Sequence, residues 1–360
     1  LFLHPIMNKK FFYISFLLLL LLSSCKSKRN LVSSLPSLEV VPDSALLADT
    51  VGLPASLVGV LTFDQSGLRD LRRMSERSVG SSRSLARLKI RKKEIVKRGT
   101  QITFATVDVS SSYKGVKRVR MYDFTHRDVP EAFDSCRIAF ISDLHYKSLL
   151  KEKGLADLVR LLSSLHPDVL LMGGDYHEGC QYVAPLMAAL EQVKTPLGTY
   201  AVLGNNDYEA CYTEVVSEMK RRGIRLLEHK VDTLRRGDGR ILVAGVRNPF
   251  DLKQNGQSPT LGLSPDDFVI LLTHTPDYAE DVPVTHADLI LAGHTHGGQV
   301  TLFGYAPVVP SRYGQRFLTG LKYNSAHIPM IVTNGIGTSQ HAIRLFAPAE
   351  VVLITLHRLR

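Results

Sequence analysis

Several apolar runs in this chain end in residues that could bind a metal. Gly293-His294-Thr295-His296-Gly297-Gly298-Gln299 directly follows Asp288-Leu289-Ile290-Leu291-Ala292. Two imidazoles two residues apart, set between glycines that let the backbone turn tightly, can converge on one cation. Alone, such a pair also fits a solvated loop. Four more apolar runs end in Asp143-Leu144-His145, Gly173-Gly174-Asp175, Gly204-Asn205-Asn206-Asp207 and Thr273-His274. Asp, Asn and His supply oxygen and nitrogen donors suited to divalent cations. Ligands in open α/β folds gather beyond the carboxyl ends of strands, where loops from several strands meet. A shared metal site therefore explains these ends better than isolated loop residues do. No Gly-x-Ser-x-Gly, P-loop or dinucleotide fingerprint competes with it.

The elements that must position these residues alternate. Arg137–Ser142, Asp168–Met172 and Gly198–Leu203 read as strands. Leu149–Leu165, Cys180–Val193 and Tyr212–Arg222 have helical spacing. This βα alternation argues for an α/β core with a partly parallel sheet. Gln101–Val109 and Val116–Phe124 read as a hairpin leading into it. Further strands are expected at 240–246, 268–273, 288–292, 329–333 and 351–356, and a second sheet is the economical place for them.

Together these motifs resemble the calcineurin-like metallophosphoesterase superfamily over about residues 135–356. Gly297-Gly298-Gln299 and Asn334-Gly335-Ile336-Gly337 resemble its membrane-associated bacterial branch, which includes UDP-2,3-diacylglucosamine pyrophosphatase-like proteins of lipid A metabolism. The resemblance implies two mixed β-sheets packed as a sandwich and flanked by helices, a four-layer α/β fold. It also implies two divalent metal ions, Mn, Fe or Zn. Asp143, His145, Asp175 and His296 would hold one, and Asp175, Asn205, His274 and His294 the other, with Asp175 bridging. Two cations about 3.5–4 Å apart lower the pKa of a shared water and clamp phosphoryl oxygens during in-line attack by the resulting hydroxide.

One position departs from the family pattern. Asn206 stands where the family commonly has His, which stabilises the transition state or protonates the leaving oxygen. Asn donates a hydrogen bond but is no general acid near neutral pH. Either the substrate has a good leaving group, as in a pyrophosphate, or His177 supplies the missing donor. The plainer reading of His177 is a solvent-facing loop residue. Arg247 is a candidate phosphate contact, although isolated arginines are usually solvated. The expected activity is hydrolysis of a phosphodiester or pyrophosphate bond in a phosphorylated small molecule. A lipid-linked substrate such as UDP-2,3-diacylglucosamine suits a membrane tether, but that intermediate belongs on the cytoplasmic side. Another cell-envelope or nucleotide diester is the alternative, and a catalytically silent metal-binding envelope module is the competing class.

Charge is unevenly distributed. Residues 1–129 hold 22 Lys/Arg against 10 Asp/Glu, whereas residues 130–360 hold 22 against 24. The near-neutral second part gives no footprint for nucleic acid. Residues 1–25 read as a targeting segment: Lys9-Lys10, the apolar run Phe11–Leu22, then Leu22-Ser23-Ser24-Cys25, which resembles a bacterial lipobox with Cys25 as the lipidated residue. A short signal anchor is the alternative. The lipoprotein reading puts the domain outside the cytoplasm. Residues 26–100 read as a basic tether before a domain at 101–360. Within the tether, a helix candidate carrying Leu85, Leu88, Ile90 and Ile95 is either a membrane-surface contact or a solvated basic face. Cys136 reads as inert packing. Cys180 and Cys211 are equally compatible with a bridge and with two free thiols.

Overall fold

A computed structural model describes residues 88–89, 95–97, 100–109, 113–251 and 256–360. The segment expected to act in targeting, with Cys25, and most of the expected tether lie outside the described residues. Among the described residues, fifteen strands form two mixed sheets. In the first, β3 (Thr100–Asp108) and β4 (Arg118–His126) make the expected hairpin, paired from Thr100 with His126 to Asp108 with Arg118. Leu88–Lys89 (β1) and Ile95–Lys97 (β2) both pair antiparallel with β3. These parts of the basic stretch are therefore strands, which corrects the helix expected there. Backbone pairing along the exposed edge of β3 overrides their weak helical spacing.

From β4 onward the chain builds the parallel half of this sheet. β5 (Arg137–Ile141), β6 (Val169–Met172), β7 (Thr199–Ala201) and β8 (Arg225–Leu226) run side by side and parallel. Helices α1 (Glu152–Ser164), α2 (Val183–Leu190), the short α3 (Asn205–Glu209) and α4 (Tyr212–Arg221) connect them. On α1, Leu155, Leu158, Val159, Leu161 and Leu162 recur at helical spacing and are buried against the sheet.

The second sheet runs β13 (Gly320–Tyr323), β14 (Pro329–Val332), β12 (Leu289–Ala292), β11 (Val269–Leu272), β10 (Gly239–Gly245), β9 (Lys230–Arg236). Its central strands, β10, β11, β12 and β14, are mutually parallel. The outer face carries the four-residue helix α5 (Tyr278–Asp281) and the turn 314–317.

Side-chain alternation explains the layering. Ile138 and Phe140 of β5 enter the apolar layer between the sheets, while Ala139 and Ile141 face the helices. Ile270 and Leu272 of β11 enter the same inter-sheet layer, and Val269 and Leu271 face outward. Strands buried on both faces read as unbroken apolar runs. One expectation needs correction. The last strand, β15 (Glu350–Arg358), does not join the second sheet. It inserts between β4 and β5, parallel to one and antiparallel to the other. Val352, Ile354 and Leu356 thereby complete the inter-sheet layer, and Val351 and Leu353 complete the helix layer.

Cys136 is free and fully buried, and burial pushes its thiol up to about 12, as inert packing requires. Asp288, immediately before β12, accepts the Val269 N–H at 2.8 Å and faces His126 Nε2 at 3.8 Å. Burial pushes its carboxyl up to about 7 from an ordinary 3.8. Between those pH values the folded chain keeps a proton that the unfolded chain has lost. Stability from this group therefore falls as pH rises through that window. Asp288→Asn is expected to flatten the decline of melting temperature between pH 4 and 7, as read by calorimetry on both proteins. Parallel melting curves would rule out this contribution.

Candidate metal centre

The parallel strands aim their carboxyl ends at one place. Asp143 and His145 follow β5, Asp175 follows β6, and Asn205 opens α3 beyond β7. From the second sheet, His274 follows β11, and His294 and His296 follow β12. The structure brings six of these seven residues together in two groups, Asn205 being the one outside them. Donor atoms of Asp143, His145 and His296 lie within 4.8 Å of one another, as do those of Asp175, His274 and His294. Asp175 joins the groups: its Oδ2 is 3.4 Å from His145 Nε2 and 3.4 Å from His274 Nε2.

The backbone is bent to make this possible. Asp143, His145, Asp175, His294 and His296 all have positive φ, between 39° and 68°. Each such non-glycine residue costs on the order of 1–3 kcal/mol and persists only where its surroundings enforce it. Glycines supply the clearance. A Cβ on Gly204 would fall on Asp175 Oδ1, and one on Gly293 would fall on Ser142 Oγ and Asp143 Oδ2.

Neighbouring groups orient the ligand candidates. His145 Nδ1 bonds Glu178 Oε1 at 2.6 Å, and His274 Nδ1 donates to the Gly173 carbonyl at 2.7 Å. Both rings therefore present Nε2 to Asp175, the arrangement of an imidazole held for metal ligation. Asp207 is fully buried and accepts the backbone N–H groups of Asp175, Tyr176 and Gly204 at 2.7, 3.0 and 2.9 Å. It fastens the β6 turn to the β7 turn. Arg344 donates to the carbonyls of Asn334, Gly337 and His296, holding the turn that carries His296.

Charge within the cluster is strongly polarised. Burial opposes a charge on His145, but the Asp175 carboxylate facing Nε2 and the hydrogen bond from Nδ1 to Glu178 outweigh it and push the ring up to about 10. His274 rises to about 9 because Asp175 likewise overcomes burial. Burial, then the His274 charge, pushes His294 down to about 3. Burial and the neighbouring His145 also hold His296 well below its ordinary value. Burial raises Asp143, whereas at Asp175 the imidazoles of His274 and His145 overcome burial and hold the carboxyl low.

These residues fit divalent cations on two observations. His145 Nε2 and Asn205 Oδ1 are buried with no hydrogen-bond partner. Buried polar atoms are seldom left so, and both are atoms that a cation would use. In addition, the Nε2 atoms of His145 and His274 both face one oxygen of Asp175 at 3.4 Å, and a cation bound by such a set takes the place of ligand protons. Glu178→Gln is expected to weaken divalent-metal affinity by about 10- to 100-fold, since it leaves the donor set intact and removes only the charge that orients His145. Isothermal titration with Mn²⁺ measures this, and wild-type affinity in the variant would refute that role.

Other expected residues lie differently. His177 is not solvent-facing: it is buried, its Nδ1 accepts the Gly179 N–H at 3.1 Å, and its Nε2 faces Asp207 Oδ1 at 3.7 Å. The adjacent loop folds inward around Asp207 and takes His177 with it. The Asn206 side-chain amide donates to the His177 carbonyl, and its backbone N–H donates to Asp175 Oδ1 at 2.9 Å. Arg247 lies beside Glu228, Nε to Oε1 3.7 Å. Three residues farther on, Phe250 packs its ring 5.0 Å from that of His294 and 6.1 Å from that of His274. Phe250 also lines a cleft of about 680 Å³ with Thr275, Asp277, Asp281, Pro310 and Arg312. Cys180 and Cys211 form a disulfide. Phe250, Glu178 and Arg344 carry no local sequence signal of such roles.

Residues 136–298 match the sequence model of the Calcineurin-like phosphoesterase family. The metallophosphoesterase YkuE of Bacillus subtilis (strain 168) is 29% identical over 236 residues, covering 63% of this chain and 81% of that protein. A metallophosphoesterase of Aquifex aeolicus (strain VF5) is 28% identical over 253 residues, covering 66% of this chain and 91% of that one. Among solved structures, the protein TT1561 of Thermus thermophilus aligns with a TM-score of 0.38 at 15% identity, over 56% of this chain and 90% of that one.

Proposed function

We propose that this chain, whose residues 136–298 match the Calcineurin-like phosphoesterase family, is a metal-dependent phosphoester hydrolase of that family that cleaves a phosphodiester or pyrophosphate bond in a lipid-linked envelope molecule. The observation that carries the metal-dependent reading is the pair of donor groups joined through Asp175, with His145 Nε2 buried and unpartnered among them. Divalent cations held by Asp143, His145, Asp175, Asn205, His274, His294 and His296 would supply Lewis-acid polarisation of phosphoryl oxygens. The chain's own residues do the rest. Glu178 and Gly173 fix the imidazoles, Asp207 holds the Asp175 turn, and the cleft beside Phe250 offers an apolar ring to the organic part of the substrate.

Asn206 restricts the leaving group. Its amide is already engaged by the His177 carbonyl, and an amide has no proton to give near neutral pH. A phosphate or aryloxide, which departs with the bridging oxygen as a stable anion, suits this site; an alkoxide does not. The Cys180–Cys211 bridge supports a location in an oxidising compartment outside the cytoplasm. Among the described residues no helix is long and apolar enough to cross a membrane. Lys9-Lys10, the apolar run Phe11–Leu22 and Cys25 support assigning the tether to residues 1–25.

The test is turnover of aryl and alkyl phosphodiesters by the Mn²⁺-loaded full chain. Bis-p-nitrophenyl phosphate is expected to be cleaved, and rates to fall steeply as the leaving group becomes more basic. Asn206→His is expected to raise turnover of alkyl diesters by about 10²-fold, the usual contribution of a general acid. Equal rates on aryl and alkyl diesters in the wild type would overturn the leaving-group reading. No metal-dependent cleavage of any diester or pyrophosphate would overturn the activity.

A further inference from the structure

Two loop tips beside the metal centre expose large apolar side chains in an unfavourable backbone conformation. The chain leaving His296 makes a two-residue hairpin turn, in which Leu302 N–H donates to the Tyr305 carbonyl at 2.8 Å and Tyr305 N–H returns a bond to Leu302 at 2.9 Å. Phe303, at φ 51°, and Gly304, at φ 84°, are its central residues. Such turns favour Asn-Gly, because the first position is left-handed and a bulky residue there is a rare outlier. Phe303 is nevertheless fully exposed. A second segment pairs with this one: Thr301 N–H donates to the Leu345 carbonyl at 2.9 Å, and Leu345 N–H to that of Gln299 at 2.8 Å. At its end Phe346 has φ 57° and is 74% exposed. Leu302, Tyr305, Val308, Ile343 and Leu345 are exposed around the two phenylalanines.

Neither phenylalanine gains by burial in the folded chain, and both strain the backbone. Strain of this kind at an exposed position is an indication of function. Charge distribution selects the kind of partner. No Asp, Glu, Lys or Arg occurs between Leu289 and Ser311. Between Ile336 and Ala349 there is only Arg344, whose guanidinium is buried against backbone carbonyls. Protein interfaces surround an apolar centre with a polar rim. A surface with projecting aromatic and aliphatic tips and no exposed Lys, Arg, Asp or Glu on either segment matches entry into the apolar part of a bilayer.

We propose that the tips carrying Phe303 and Phe346 insert into a phospholipid surface and present the metal centre to it. The role of this surface rests on the proposed lipid-linked substrate, because His296 begins the segment that ends in Phe303. The chain contains no tryptophan, so Phe303→Trp and, separately, Phe346→Trp place a sole reporter at each tip of the full chain. Tyr212→Trp on α4 reports a surface outside the two segments. With vesicles of phosphatidylethanolamine and phosphatidylglycerol, emission from both tip reporters is expected to shift to the blue and to be quenched by brominated acyl chains, while the α4 reporter does neither. Unchanged tip emission on vesicles with which the chain co-sediments would overturn the proposal. So would a blue shift that needs no vesicles and grows with protein concentration, which would assign the patch to a second copy of the chain. Hydrolysis of soluble bis-p-nitrophenyl phosphate is measured on the same proteins. Tip insertion without metal-dependent cleavage of this or any other diester or pyrophosphate would leave the surface standing and sink the phosphoesterase activity; hydrolysis without insertion would sink the surface alone.

Discussion

Asp175→Asn is expected to lower Mn²⁺-dependent hydrolysis of bis-p-nitrophenyl phosphate by about 10³-fold, equivalent to roughly 4 kcal/mol of transition-state stabilisation. Asp175 touches both halves of the site. One oxygen lies 3.4 Å from His145 Nε2 and 3.4 Å from His274 Nε2. The other accepts the Asn206 backbone N–H at 2.9 Å. Substitution by the isosteric amide preserves shape and the hydrogen bonds that Asp207 makes to backbone N–H groups. It removes the negative charge that two cations would share. The expected signature is therefore a loss of bound metal and of turnover without loss of fold. Metal content by atomic emission, turnover and melting temperature separate these terms. A variant that binds wild-type metal and turns over within tenfold of wild type would show that Asp175 does not join the two groups.

Residues that present their own side chains at strand ends were legible in the sequence. Asp143, His145, Asp175, His274, His294 and His296 each follow an apolar run; residue type with position marked them as one candidate site, and the family resemblance sorted them into two groups. Residues acting on those side chains from a distance in sequence were not. Glu178 matters because it reaches His145, and Arg344 because its guanidinium meets four carbonyls. Nothing in their neighbours announces this. Phe250 lies in a loop with no periodicity, and only the fold sets it against His294.

The same limit applies to the sheets. Val351–Leu356 reads as a strand from its apolar run, yet which sheet receives it depends on the open edge between β4 and β5, a non-local fact. Burial on both faces hides that choice, since an apolar run looks alike in either sheet. β8 is two residues long, too short to show alternation. His177 looked solvent-facing because its neighbours are polar, but Asp207 draws the loop inward.

Removing the Cys180–Cys211 bridge is expected to cost roughly 3–4 kcal/mol, from closure of a loop spanning 31 residues. For a domain of this size the melting temperature of Cys180→Ala/Cys211→Ala should fall on the order of 10 °C. The position of the bridge adds a second expectation. Cys180 lies two residues beyond Glu178, which orients His145, and Cys211 lies two beyond the helix that begins with Asn205. The bridge thus ties together the two turns that carry Asp175 and Asn205. Opening it should also loosen metal binding by about tenfold, the lower range for disturbed orienting contacts. A reductant should produce both effects in the wild type and neither in the double variant, which already lacks the bond. Equal melting temperatures with and without the bridge would mean that the fold holds these turns together unaided. A lower melting temperature with unchanged metal affinity would confine the bridge to stability and leave Asp207 as the group that aligns the two turns.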